Sequence, residues 1–265
     1  MTPEEYLRQG DLDACRMALT AQIRKAPDKG SLRLFFGQLL AVEGDWERAL
    51  KQLDIAGQLD PDLQLLNLVC RRLIHAEILR EKVFRGEASP LVLGEPPEWL
   101  ASLLEANRLL GEGELAAGCE LRNAAFAQAP EVAGGIDGAD FAWLADGDGR
   151  LGPVVELFLE GGYYWCPLDH VQCLRFDPPT ELRDLLWFPV TAIWRNGGEA
   201  KGFLPARYPA SAQTDDNQLK LCRLTTWSEP VAELYYGLGQ RVFMTDAGEH
   251  PLLEVRELVF LSEEG

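Results

Sequence analysis

DFAWLADGDGRLGPVVELFLEGGYYWCP, residues 140–167, is where the chain changes character. Upstream, apolar residues recur at helical spacing. Downstream, short β-branched and aromatic runs alternate with turn residues. Within the stretch, Phe141, Trp143 and Ala145 alternate with Ala142 and Leu144, which predicts a short strand. Asp146-Gly-Asp-Gly-Arg150 is a turn sequence. Val154 to Leu159 predicts a strand, and Gly161-Gly162 a two-residue hairpin into Tyr163-Tyr164-Trp165. Gly147, Gly149 and Gly152 match GxGxxG, but a dinucleotide loop must open a helix whose N-terminus meets the phosphate. Here Pro153 and a strand-like run follow. A calcium loop fails too, because Arg150 holds the third ligand position and Leu157 the place of the bidentate glutamate. The expected reading is a structural turn of Asp146, Asp148 and Arg150, with Arg150 tying it down by charge-assisted hydrogen bonds.

Before this joint the sequence repeats. Gly10-Asp11 and Pro27-Asp28 recur 34 residues later as Gly44-Asp45 and Pro61-Asp62, and the Gly-to-Pro spacing of 17 appears again from Gly113 to Pro130. A 34-residue period of paired helices resembles the tetratricopeptide repeat (TPR). Phe36, Gly37, Leu40, Gly44, Ala49, Leu53, Ala56 and Pro61 fall on its pattern, with Arg33 where its first aromatic belongs. Between the second and third copies, Asp62 to Arg85 predicts one long helix. Its Arg71, His75, Lys82 and Arg85 form a basic stripe, read as a solvated face. Gly86 to Pro97 predicts a loop. Stacked helix pairs leave a concave surface. By resemblance to the repeat family, Leu34, Gln38, Ala41, Leu103 and Asn107 would line it.

After the joint, strands are predicted at Val171 to Phe176, Trp187 to Arg195, Lys201 to Leu204, Leu219 to Trp227, Val231 to Tyr236, Arg241 to Thr245 and Leu252 to Leu261. Thr180 to Leu186 reads as a short helical insert with Thr180 as its cap. The expected fold class is therefore α+β. A TPR-like helical repeat domain over residues 1–132 precedes a β-rich antiparallel sheet or barrel-like domain over residues 137–265.

Composition narrows the function. Forty-two acidic against 25 basic residues give a net charge of −17, a field that repels nucleic-acid backbones and favours a basic or amphipathic partner. No apolar run is long enough to span a membrane, and the N-terminus lacks the features of a signal peptide, so a cytoplasmic location is expected. The six cysteines form no CxxC pair; they read as reduced, buried thiols. Cys166-x3-His170-x2-Cys173 lacks the second ligand pair a zinc site needs, so neither metal nor cofactor is expected. There is no GxSxG, HExxH or GxxxxGK[ST] motif, and three histidines leave little for acid–base work. A non-catalytic protein is the expectation. The alternative is a small-ligand binder or enzyme built on the Asp146–Arg150 turn and the adjacent aromatic hairpin, which requires an open pocket bordered by Asp148 and Arg150.

With these residues placed, the whole chain resembles the ImpE family, also called TagJ or SciE-type proteins, accessory proteins of bacterial type VI secretion loci. The resemblance rests on Ala76-Glu77 with Arg80 and Val83-Phe84, then Pro90 and Gly94-x-Pro96. Phe141-x-Trp143 and Asp146-x-Asp148-x-Arg150-Leu-Gly-Pro153 follow, then Gly162-Tyr-Tyr-Trp165 and Leu182-Arg-Asp184 with Trp187. Pro205-x-Arg207-Tyr208, Thr226-Trp227 and Gly237-x-Gly239-Gln-Arg241 complete it. It implies a helical repeat domain joined to a β-rich domain, without known catalysis. It also implies binding of the N-terminal helix of the small contractile-sheath subunit, and modulation of sheath assembly or of recycling by the ClpV-type ATPase. The family marks no binding residues. On physical grounds an amphipathic helix would dock on Leu34, Gln38, Leu103 and Asn107, or on Tyr163, Tyr164 and Trp165 at the seam between the halves.

Overall fold

Helix pairs hinged by a glycine build the first half. The computed structural model describes residues 1–261. Helices α1 (Pro3–Gln9) and α2 (Leu12–Lys25) form one pair, and α3 (Gly30–Val42) and α4 (Trp46–Leu59) the next. The long α5 (Gln64–Phe84) follows, and then the pair α6 (Glu98–Gly111) and α7 (Leu115–Phe126). Each tight joint has a glycine in the left-handed region, Gly10 (φ 81°), Gly44 (77°) and Gly113 (87°). Asp11 and Asp45 then accept from Ala14 N and Arg48 N, satisfying donors that the new helix would leave open. Gly37 lets α3 and α4 touch: a Cβ there would lie 2.8 Å from Leu53 Cγ. No helix among the described residues is long and apolar enough to cross a membrane.

The second half holds a nine-stranded sheet. Its strands, in chain order, are β1 (Leu91–Val92), β2 (Gly134–Ile136), β3 (Ala139–Phe141), then β5 (Val154–Leu159), β6 (Gly162–Pro167), β7 (Val171–Phe176), β8 (Trp187–Trp194), β9 (Glu199–Pro205) and β14 (Glu257–Phe260). Their spatial order is β1-β6-β5-β9-β8-β7-β14-β2-β3, an open sheet rather than a closed barrel. Only β1 pairs in parallel, with β6; the other neighbours are antiparallel. The strands β4 (Leu144–Asp146), β12 (Val242–Thr245) and β13 (Gly248–Pro251) make a small sheet. A hairpin of β10 (Thr225–Val231) and β11 (Leu234–Gly239) stands apart from both.

Several boundaries differ from the sequence expectation. The strand expected over Phe141 to Ala145 splits into β3 and β4, which join different sheets; at the break, Ala142 N donates to Asp246 Oδ1 at 2.7 Å. The hairpin turn is Glu160-Gly161, both left-handed (φ 51° and 89°), so Gly162 already pairs with Leu159. Two left-handed residues make the turn whose twist matches the flanking strands. The strand expected from Leu219 begins instead as the short helix α8 (Asn217–Lys220), because Asp216 caps it through Gln218 N at 2.7 Å. The run from Val231 is interrupted by the β10–β11 turn, where Glu233 is left-handed (φ 64°). Leu252–Glu254 forms a 3-10 turn before β14. The insert expected at Thr180 is a 3-10 helix over Leu182–Leu185, and its cap is Glu181. The loop after α5 contains β1.

The sheet has two buried faces, and β5 is buried along its whole length. Alternation sends Val154 and Phe158 to the core shared with the helices, and Val155, Leu157 and Leu159 to the core on the other side. The same rule puts Tyr163 and Trp165 of β6 on the helix side. That shared core runs from Leu19 and Leu40 through Ile74 and Leu103 to Trp165 and Trp187. Its geometry decides where the polar residues of the joint must go.

Candidate functional site

Glu156 lies between Val154 and Phe158 on β5, so alternation points a carboxylate into the apolar seam. It survives there because α5 brings an arginine to meet it. Arg80 donates to both Glu156 oxygens, Nε at 2.7 Å and Nη2 at 3.0 Å, and to Glu77 at 2.8 Å. Arg241, at the start of β12, bonds Glu156 from the other side and Asp146 at 2.6 Å. Tyr163 donates its hydroxyl to Glu156 and accepts from Trp165 Nε1 at 2.6 Å; Trp187 Nε1 donates to Glu77 at 3.2 Å. Burial works against the charged form of Glu156, but Arg80 and Arg241 outweigh it and hold the carboxyl at about 2. Asp146 shares only Arg241 and has Asp148 and Glu156 as negative neighbours, so burial pushes it up to about 6.

The Asp146–Arg150 turn belongs to the same interior. Asp146 Oδ1 accepts from Asp148 N at 2.8 Å, and Asp148 accepts from Arg150 Nε at 2.8 Å and Nη2 at 2.5 Å. Arg150 lies between the rings of Phe84 (4.7 Å) and Tyr236 (4.0 Å). Asp148 Oδ2 also accepts from Gly237 N at 3.1 Å. β5 follows the turn, so its glycines present no helix N-terminus to a phosphate. Nor does the turn border an open pocket. Asp148 is fully buried and Arg150 is 8% exposed, and the two are bonded to each other. Arg207 completes the interior, donating to the carbonyls of Val42 (2.8 Å), Ala41 (3.2 Å) and Lys220 (3.1 Å). Arginines 80, 150 and 241 thus pair with the carboxylates of Glu77, Asp146, Asp148 and Glu156, while the charge of Arg207 rests on backbone carbonyls beside them. This is a charge-balanced joint sealed from solvent.

The same joint removes most of the expected docking surface. Ala41, Leu103 and Asn107 are buried. The β-rich half fills the inner face of the helices, with Arg207 on the end of α3, Trp187 6.5 Å from Trp46 and Trp165 6.0 Å from Phe84. Asn107 spends its amide on Val83 O at 2.9 Å and ties α6 to α5. Tyr163 and Trp165 are fully buried, and Tyr164 is half-buried against the opposite core. None of these five buried side chains can meet a partner without opening the seam. Of the basic stripe of α5, Arg71 pairs with Asp54 and Arg85 with Glu87.

Leu34 remains half-exposed and Gln38 is 8% exposed, and the structure brings them together. They line a shallow groove of about 340 Å³ with Leu7 of α1, Phe35 of α3, and Glu181 and Leu182 of the 3-10 insert. A second hollow of about 290 Å³ continues past Leu7 and Leu182 to Leu185 and Arg223. The sequence gives no docking role to Leu7, Phe35 or Leu182. Leu7 and Leu34 are helical positions, but only the tertiary fold sets the insert beside them. Among the described residues, no three His, Cys, Asp or Glu side chains converge to hold a metal. Burial pushes the thiols of Cys166 and Cys222 up to about 12, so neither is a ready nucleophile.

Residues 138–259, from β3 through most of β14, match the family described as ImpE protein. The type VI secretion system accessory component TagJ of Pseudomonas aeruginosa is 44% identical over 260 residues, covering 98% of this chain and 91% of that protein. The chain belongs to the ImpE (TagJ) family. The crystal structure of protein VPA1032 from Vibrio parahaemolyticus superposes with a TM-score of 0.90 at 28% identity, covering 99% of this chain and 98% of that one. The ImpE match contains Asp146, Asp148, Arg150, Glu156, Arg207 and Arg241, the β-side members of the joint. Their helix-side counterparts, Glu77 and Arg80, lie outside it. The groove is likewise split: Glu181 and Leu182 lie inside the ImpE match, while Leu7, Leu34, Phe35 and Gln38 lie before it.

Proposed function

We propose that this chain is a non-catalytic, cytoplasmic accessory component of a type VI secretion system, acting by capture of an amphipathic helix. The observation that carries the reading is the 44% identity to the accessory component TagJ across nearly all of both chains. The partner favoured is the N-terminal helix of the small contractile-sheath subunit, and the effect is on sheath assembly or its recycling by the ClpV-type ATPase. The docking place is the groove of Leu7, Leu34, Phe35, Gln38 and Leu182. Its apolar floor suits helix anchors at i, i+3/i+4 and i+7. Its rim carries Glu4 and Glu181, and the chain carries −17, so a helix with basic flanks is preferred.

Titration of the protein with a synthetic peptide of the sheath subunit's N-terminus tests this reading. Saturable heat release is expected. Absence of heat and of any fluorescence change at high micromolar peptide would sink it.

A further inference from the structure

We propose that two adjoining pockets around Asp169 and Arg195 form a binding site for a small zwitterion of amino-acid size, its ammonium group on Asp169 and its carboxylate on Arg195. The pockets hold about 420 and 490 Å³, within the range of small-molecule sites, and Asp169 and Arg195 line both. They lie at the far end of the sheet from the helix groove, between the 3-10 turn Leu168–His170, the turn after β8 and the connection around Val132.

The polar groups point to the ligand class. Asp169 Oδ1 is buried and accepts no hydrogen bond among the described residues. A buried acceptor left unmade is costly, and an N–H donor from a ligand would relieve it. Arg195 does not serve as that donor. It spends Nε on the Asp169 carbonyl and Nη2 on the Leu261 carbonyl at 2.7 Å, which pins the guanidinium to backbone and, among the described residues, leaves Nη1 for an anion. A cation alone would satisfy Asp169 and face Arg195, whereas an anion alone would do the reverse. A molecule carrying both charges a few ångströms apart answers both. Leu93 and the half-buried Trp194 ring provide an apolar wall for its body, and His170 and Asn196 add polar contacts at the mouth.

Isothermal titration of the whole protein with L-leucine and L-phenylalanine tests the site, against isopentylamine and 4-methylpentanoate, which each lack one charge. Binding by an amino acid, at least tenfold tighter than by either single-charge analogue, is expected. Asp169→Asn keeps the shape and breaks no side-chain hydrogen bond present in the fold; it should weaken the amino acid tenfold or more. Should that variant fail to fold, Leu93→Trp, which fills the first pocket, must abolish binding instead. No heat with either amino acid at millimolar concentration overturns the proposal. So does equal binding of the amine alone, or undiminished binding by the folded Asp169→Asn variant.

Discussion

Arg80 on the long helix grips both oxygens of Glu156 on the central strand β5, at 2.7 and 3.0 Å, with both side chains out of contact with water. The two residues are 76 positions apart, and their pairing is the main polar bond between the helices and the sheet. Breaking a buried pair by removing one partner strands a charge and costs about 3–5 kcal/mol. Glu156→Gln and Arg80→Ala should each lower the unfolding free energy obtained from urea titration by that order. The double variant should cost less than the sum, because the two sites share one interaction. An additive double variant would refute the coupling.

The joint also sets a dependence on pH. Glu156 is held at about 2, below its ordinary value, so its contribution is full above about 4.5 and is lost as pH falls toward 2. Asp146 is raised to about 6, so its folded form prefers the proton: stability from this group is present at low pH and is lost as pH rises from about 4 to 6. At 1.36 kcal/mol per unit, each effect is on the order of 3 kcal/mol. Asp146→Asn should flatten the decline between pH 4 and 6, and Glu156→Gln should flatten the acid limb. Denaturant midpoints measured across pH 3 to 8 give both slopes; unchanged slopes in the variants would reject the assignment.

The groove predicts a separation of binding from stability. Leu34→Glu and Leu182→Glu place a charge on its half-exposed apolar floor and should each weaken the sheath peptide at least tenfold, with the fold intact by circular dichroism. Leu103→Ala acts the other way. It empties a buried site, costs about 2–5 kcal/mol, and should leave peptide affinity of the folded fraction unchanged. Should Leu103→Ala weaken binding while the groove variants do not, the docking face has been misplaced.

Close approach within the repeat gives a further test. Gly37→Ala puts a methyl group 2.8 Å from Leu53 Cγ and 3.3 Å from Ala49 O. Overpacking of this kind costs about 1–3 kcal/mol. A thermal midpoint lowered by several degrees is expected. An unchanged midpoint would mean that α3 and α4 separate without cost.

Much of the architecture follows from local signals. The Gly-Asp joints at 10–11 and 44–45 end one helix and cap the next, so the helix pairs can be read from spacing alone. The β-branched and aromatic run Val154–Leu159 specifies a strand, and Pro153 with that strand excludes a phosphate loop. The family itself is legible as an ordered series of short matches, several of which are members of the buried joint.

Local pattern could not decide which residues stay open. Asn107 and Gln38 are equivalent kinds of residue on repeat helices, yet one is bonded to Val83 O inside the core and the other lines the groove. Nor could it pair Arg80 with Glu156, or Arg207 with the carbonyls that end α3. Sequence by itself determined the main helices and the longer strands, the α+β class and the turn at residues 146–150, because those depend on backbone propensity and periodicity over a few residues. Tertiary structure alone decided that the inner face of the repeats is filled by the chain's own sheet, because that outcome depends on contacts between residues more than 70 positions apart. Most of the residues first expected to hold a partner therefore hold the protein together, while Leu34 and Gln38 line the groove where α1, α3 and the 3-10 insert meet.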